Sequence, residues 1–178
     1  MKAILVSGGM DSTIAADMHP DATRIFVDYG QPYAQPEQQT VRQLFGDEVV
    51  VVTIRPPPVM QGSYVPARNL LLATVAAQQG AEEVLLCGVA DDVYVDNNTE
   101  AFADMSRILS LHCGRQVHVH SPHGDRTKGQ AAAYYVSQGY DAGRLHRTFS
   151  CYNWNGSGRC GACTACTRWD AAMRHAGE

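Results

Sequence analysis

At 178 residues, with 45% hydrophobic and 18% charged residues, the chain is long enough for one α/β unit with a substantial core and short for two. No apolar run approaches the roughly 20 residues that span a bilayer, so no membrane role is expected. A formal net charge of −4 without any basic run lacks the electrostatic footprint of a protein that grips nucleic acid through phosphates, which leaves a small-molecule substrate as the expectation.

Read from the N-terminus, residues 2–6 form a short apolar run that enters a glycine turn at Ser7, not a longer apolar stretch with a small-residue cleavage site. They read as a first strand, and a cytoplasmic protein is expected. Further strands are predicted over 24–27, 49–54, 83–87 and 117–119, separated by helical patterns over 12–18, 36–45, 66–79 and 98–111. Pro66 suits a first helical turn and Gly80 a C-terminal cap. Strands alternating with helices predict right-handed crossovers and an α/β fold with a doubly wound, parallel, five-stranded sheet whose ligands bind at the carboxyl ends of the strands. Arg55, the three prolines after it and Gly62 break the pattern and predict a loop over 55–65 flanking that edge. Another helix is expected to open at Lys128. From Thr148 onward a Gly- and Cys-rich segment leads into a short helix over 168–175.

The first strand ends in Ser7-Gly8-Gly9-Met10-Asp11-Ser12, followed at once by a helix. Two glycines let the backbone turn sharply and approach a ligand, and the amides of a helix N-terminus offer partial positive charge to phosphate oxygens. Ser7 and Ser12 add hydroxyl donors, and Asp11 suits a magnesium ion that bridges phosphates. The spacing is neither a Walker A loop nor a G-x-G-x-x-G turn. It resembles the S-G-G-x-D-S loop of the PP-loop ATP pyrophosphatase superfamily, which cleaves ATP between its α and β phosphates to adenylate a substrate. A simple capped strand-to-helix turn is the plainer alternative.

Of six cysteines, Cys151, Cys160, Cys163 and Cys166 crowd one short stretch, while Cys87 and Cys113 stand alone and suit buried apolar positions. Four closely spaced thiolates without a secretion signal point to a metal, and a closed thiolate set suits structural Zn²⁺. An iron–sulfur cluster or a redox C-x-x-C pair is the alternative.

Together with the PP-loop, Phe26-Val27-Asp28-Tyr29-Gly30-Gln31, Val65-Pro66-Ala67-Arg68-Asn69, and Ser150-Cys151-Tyr152-Asn153 followed by Cys160, Cys163 and Cys166 resemble the 7-cyano-7-deazaguanine synthase family in the same order along nearly the whole chain. The resemblance implies an adenine nucleotide alpha hydrolase-like fold with a PP-loop ATP-binding unit over 1–147 and a zinc-binding segment over 148–178 packed on it. It also implies ATP-dependent conversion of 7-carboxy-7-deazaguanine and ammonia to the 7-nitrile through adenylated intermediates and an amide, with Mg²⁺ at the phosphates, Zn²⁺ in the tail, a homodimer and no stable nucleic-acid partner. In that frame Ser7, Gly8, Gly9, Asp11 and Ser12 hold ATP, and Lys128 resembles the family's lysine near the phosphates. Arg68, a planar and permanently charged fork, clamps phosphate or the substrate carboxylate, and Asp28 frames the nucleotide or its metal. Asp91, Asp92, Asp96 and Glu100 recognise the guanine-like N–H edge or take a proton from ammonium. Each has a plainer alternative: a turn for Asp28, a helix surface for Arg68, solvent for Lys128 and a solvated acidic loop for the rest.

The chain also departs from the family pattern. Val95-Asp96-Asn97-Asn98 stands where relatives carry Tyr-Pro-Asp-Cys-Arg, and Gln31-Pro32-Tyr33 replaces Gln-Arg-His. A variant that stops at the 7-amide therefore stays open. So do a tRNA-modifying adenylating enzyme, which calls for a reactive exposed cysteine, and a zinc-knuckle nucleic-acid-binding module.

Overall fold

The computed structural model describes residues 1–55 and 64–177. Five strands, β1 (Lys2–Leu5), β2 (Thr23–Asp28), β3 (Val50–Thr53), β4 (Glu83–Leu85) and β5 (His118–His120), form one sheet in the order β3-β2-β1-β4-β5. Every pairing is parallel, with Ala3 opposite both Thr23 and Val84. The helices are α1 (Met10–Met18), α2 (Ala34–Phe45), α3 (Arg68–Gln78), α4 (Thr99–Cys113), α5 (Lys128–Ser137), α6 (Ala142–His146) and α7 (Thr164–His175), with a 3-10 turn at Gly46–Glu48. The α/β class and the five parallel strands are as the sequence predicts. Most of the predicted loop over 55–65 lies outside the described residues. Among the described residues no helix is long and apolar enough to cross a membrane.

The period-two alternation of strands sorts the core onto two faces. Ile4, Val6, Phe26 and Leu85 pack with Ala15, Ala16 and Val41 of α1 and α2. Ala3, Leu5, Ile25, Val27, Val84 and Val119 pack with Ala73, Ala76, Phe102 and Met105 of α3 and α4. The C-terminal helix closes a third cluster, in which Trp169, Ala172 and Met173 meet Met10, Ile14, Ala131 and Tyr135 of α1 and α5. The tail is thereby packed against the helix that opens the phosphate loop. Strand order reverses between β1 and β4, and a crevice outside the carboxyl ends of the strands opens at such a switch point.

Helix boundaries differ from expectation where tertiary geometry decides. α1 begins at Met10, two residues earlier than predicted, because Gly8 at φ +73° finishes the turn. α3 begins at Arg68, not Pro66, because Ala67 takes a left-handed φ of +55°. α7 begins at Thr164, straight after the third clustered cysteine, and the short α6 is not among the predicted helices.

Between β5 and α5, His123 is buried and neither ring nitrogen finds a partner among the described residues. Burial, reinforced by the nearby Arg126 and His19 charges, pushes its pKa down to about 4. The unfolded chain takes up this proton near the ordinary histidine value, whereas the native state refuses it. Stability is therefore intact above roughly pH 6.5 and falls as pH drops toward 4, by about 3 kcal/mol in all. Urea midpoints measured between pH 7 and 4.5 should decline less steeply for His123→Leu than for the native chain; parallel declines would contradict this.

Candidate active site

The loop after β1 lines the floor of a cavity of about 510 Å³ in the crevice, within the range of small-molecule sites. The Ser12 hydroxyl donates to the Gly9 carbonyl (3.1 Å) and accepts from the Ser7 amide (3.2 Å), and the Ser7 hydroxyl accepts from the Gly9 amide (3.3 Å). The loop is thus closed on itself, with the N-terminus of α1 facing the cavity. Gly8 sits against α2, where an added Cβ would stand 2.9 Å from Thr40 Cβ and 3.3 Å from the Glu37 carbonyl oxygen. Its positive φ adds to that clash, so Gly8→Ala is expected to destabilise by about 2 kcal/mol or more. A denaturant midpoint equal to the native one would show that the loop is looser than this.

Two charges meet beside the loop. Lys128 is the first residue of α5, whose start is fixed by a capping box between Thr127 and Gln130. The residue is buried, and its ammonium donates to Asp11 Oδ2. The other carboxylate oxygen of Asp11 is buried without a partner among the described residues. A buried anionic oxygen of this kind suits a cation brought in with the ligand. The Lys128 amide donates to Asp91 Oδ1 (2.9 Å), which ties the loop after β4 to α5.

That β4 loop is held from a direction no sequence pattern announced. Arg168 of α7 pairs with Asp91 Oδ2 at 3.1 Å and with Asp92 Oδ1 at 2.8 Å. Burial works to raise the Asp91 pKa, but the Lys128 amide and Arg168 outweigh it and hold the carboxyl below its ordinary value. Asp92 also accepts from the Val89 amide (3.2 Å) and from the Asn97 side chain.

The far wall carries Arg68, surrounded by tyrosines. Its guanidinium lies 5.8 Å from the Tyr94 ring centre, and Tyr94 in turn stacks on Tyr64 at 6.1 Å. Burial works against the Arg68 charge, but the Asp96 carboxylate and a hydrogen bond with Tyr29 support it, so it stays cationic. Tyr29 and Tyr33 are pushed up by burial and remain neutral phenols. Cys87 also lines the cavity, and burial followed by the Asp11 charge raises its pKa, so it is a neutral thiol and not a nucleophile.

The four clustered cysteines bring their sulfurs within 4.8 Å of one another. Cys160 and Cys163 Sγ lie 3.9 and 3.6 Å from Cys166 Sγ, close to the edge of about 3.8 Å for a tetrahedron with metal–sulfur bonds of about 2.3 Å. Backbone amides of Cys160, Cys163 and Tyr152 donate to the sulfurs of Cys151, Cys160 and Cys163. Such donors stabilise thiolates. The donor set could therefore hold a metal ion such as zinc. The cluster also positions the phosphate loop: Phe149 N donates to the Gly8 carbonyl at 2.8 Å, and the Cys166 thiol reaches the carbonyl of Ser150, a cavity-lining residue (3.4 Å).

The structure gathers Ser7, Gly9, Asp11, Ser12, Arg68, Asp91 and Lys128 around one cavity. Gly8, buried in the same loop, is not among the lining residues. Asp28 does not line the cavity; it pairs with Arg55 at 3.0 Å and accepts from the Gly30 amide at 2.9 Å. Asp96 sits at the N-terminus of α3, accepting from the Asn69 amide (3.3 Å), and Glu100 is exposed in the first turn of α4; neither lines the cavity. Sequence reasoning passed over Glu37, Tyr94 and Arg168. Helical spacing of Glu37 after the Tyr-Gly-Gln turn was the available signal for the first, and none existed for the others.

Known proteins match this chain along nearly its whole length. A 7-cyano-7-deazaguanine synthase 1 from Sphingopyxis alaskensis is 26% identical over 201 residues, covering 92% of this chain and 88% of the relative. A 7-cyano-7-deazaguanine synthase from Staphylococcus haemolyticus is 27% identical over 206 residues, covering 98% of this chain and 92% of that protein. A family profile described as queuosine biosynthesis protein QueC matches residues 46–177, a span that takes in Arg68, the β4 loop, Lys128 and all four clustered cysteines. With that span joined to the parallel sheet and the thiolate cluster, the chain belongs to the queuosine biosynthesis protein QueC family.

Proposed function

We propose that the chain is an ATP-dependent synthase that converts 7-carboxy-7-deazaguanine and ammonia to 7-cyano-7-deazaguanine, releasing AMP and pyrophosphate. The observation that carries this reading is one cavity with the Ser7 to Ser12 loop, Asp11 and Lys128 at one end and a half-buried, cationic Arg68 among tyrosines at the other. The names of the two relatives support the choice of product.

In this reading the amides at the start of α1 and the hydroxyls of Ser7 and Ser12 bind the ATP phosphates, with Lys128 neutralising charge beside them. The partnerless Asp11 oxygen would help hold Mg²⁺, which supplies further neutralisation of the phosphates when bound. Arg68 orients the substrate carboxylate toward the α-phosphate, and tyrosine rings flank the planar deazapurine. A carboxylate oxygen cannot leave unaided; once adenylated it leaves as AMP, and ammonia takes its place to give the amide. A second adenylation, on the amide oxygen, gives the nitrile, so one phosphate site serves twice. Cys151, Cys160, Cys163 and Cys166 would hold Zn²⁺, whose part is to fix the tail.

With ATP labelled at the α-phosphate, the chain should release labelled AMP only when 7-carboxy-7-deazaguanine is present. Labelled ADP in place of AMP, or AMP release indifferent to the carboxylate, would overturn the reading.

A further inference from the structure

Glu37 stands in the first turn of α2 and lines the cavity. Its backbone carbonyl oxygen would be 3.3 Å from a Cβ at Gly8, which sets this turn directly against the phosphate loop. Its side chain is held in place, because Oε2 accepts from Gln31 Nε2 at 2.9 Å. Gln31 is itself buried, accepts from the Tyr29 amide (3.0 Å) and donates to the Val27 carbonyl (3.3 Å).

Among the described carboxylates of the cavity wall, Asp11 pairs with Lys128, and Asp91 and Asp92 pair with Arg168. Glu37 has no ion pair among the described residues. The titratable and charged groups that face it are Arg68 of α3 and the phenols of Tyr29 and Tyr33 from the segment after β2. Burial raises its carboxyl pKa to about 8, with the Gln31 hydrogen bond and the Arg68 charge only partly opposing. A proton acceptor works best when its pKa lies near the working pH.

Resting on the synthase reading above, we propose that Glu37 is the base that accepts the proton of the ammonia nitrogen as it attacks the adenylated carboxyl. The nitrogen lone pair forms the C–N bond at the carboxyl carbon, and one N–H proton passes to the Glu37 carboxylate. The C–O bond to AMP breaks, AMP leaves with the electron pair, and the amide remains. Glu37 then returns its proton to water. Adenylation itself needs no such acceptor, since a carboxylate attacks phosphorus without losing a proton.

The test separates the two half-reactions. ATP–pyrophosphate exchange dependent on 7-carboxy-7-deazaguanine reports adenylation, and amide formation at a fixed concentration of uncharged ammonia reports amination. Glu37→Gln keeps the shape and an oxygen for Gln31, so exchange should stay within about threefold of native while amide formation falls by about 100-fold and loses its rise through pH 8. The inference is overturned if amination in Glu37→Gln stays within about threefold of native, or if exchange and amination fall together, which would make Glu37 a binding or structural group. Absence of exchange in the native chain would remove the synthase reading itself, and the inference with it.

Discussion

Asp11→Asn is expected to lower AMP formation dependent on the carboxylate substrate by at least about 100-fold, the usual scale for losing one preorganised charge at a phosphoryl site. Lys128→Met should do the same. Each single substitution also strands a buried charge or polar group, because the two side chains are only 11% and 20% exposed and each is the other's ion-pair partner. Breaking such a pair costs about 3 kcal/mol, whereas replacing both members is often neutral. The double variant Asp11→Asn, Lys128→Met should therefore regain much of the stability and none of the activity. Recovery of activity with stability, or an active single variant, would show that the pair is only structural. The unpartnered Asp11 oxygen makes that outcome unexpected, since a purely structural pair would leave no buried acceptor empty.

Cys166→Ser, or exhaustive chelation, is expected to release the metal and lower the thermal midpoint by about 10 °C. At free metal about a thousandfold above its dissociation constant, binding contributes about 4 kcal/mol to stability, and each kcal/mol moves the midpoint by about 2–4 °C at this chain length. Cys166 is fully buried at the start of α7. Its neighbours amplify the effect: Arg159 donates to the Cys166 carbonyl (3.0 Å), pairs with Asp170 (2.8 Å) and covers the Trp169 ring, and Trp169 donates to Thr148 (2.8 Å). Loosening this end also frees Phe149 from Gly8 and Arg168 from Asp91 and Asp92, so the apparent affinity for ATP should weaken along with stability. Elemental analysis should find about one zinc per chain and a featureless visible spectrum. Iron with charge-transfer absorption would contradict the zinc assignment, and an unchanged midpoint after metal removal would contradict the structural role.

Features written in local pattern are legible in the sequence alone. The five strands follow from short β-branched runs between helical ones, the tight loop from Gly8-Gly9, and the thiolate cluster from cysteine spacing. Features that depend on distant chain segments are not. Arg168 and Asp92 are 76 residues apart, and nothing in either neighbourhood signals the ion pair that joins them. The acidic run after β4 illustrates the same limit, because its residues scatter to three roles: Asp91 and Asp92 to Arg168, Asp96 to the N-terminus of α3, and Glu100 to solvent. Glu37 lies in the first turn of an amphipathic helix, and the packing of α2 on the phosphate loop sets it at the cavity wall.

The most direct test of the central claim is mass spectrometry of products from the native chain incubated with 7-carboxy-7-deazaguanine, ammonium, ATP and Mg²⁺. The account predicts a transient amide that gives way to the 7-nitrile, with AMP formed at each of the two adenylations. An amide that accumulates with AMP from one adenylation would shorten the proposed reaction by its last step. The 7-carboxy compound recovered unchanged, with no AMP, would contradict the account.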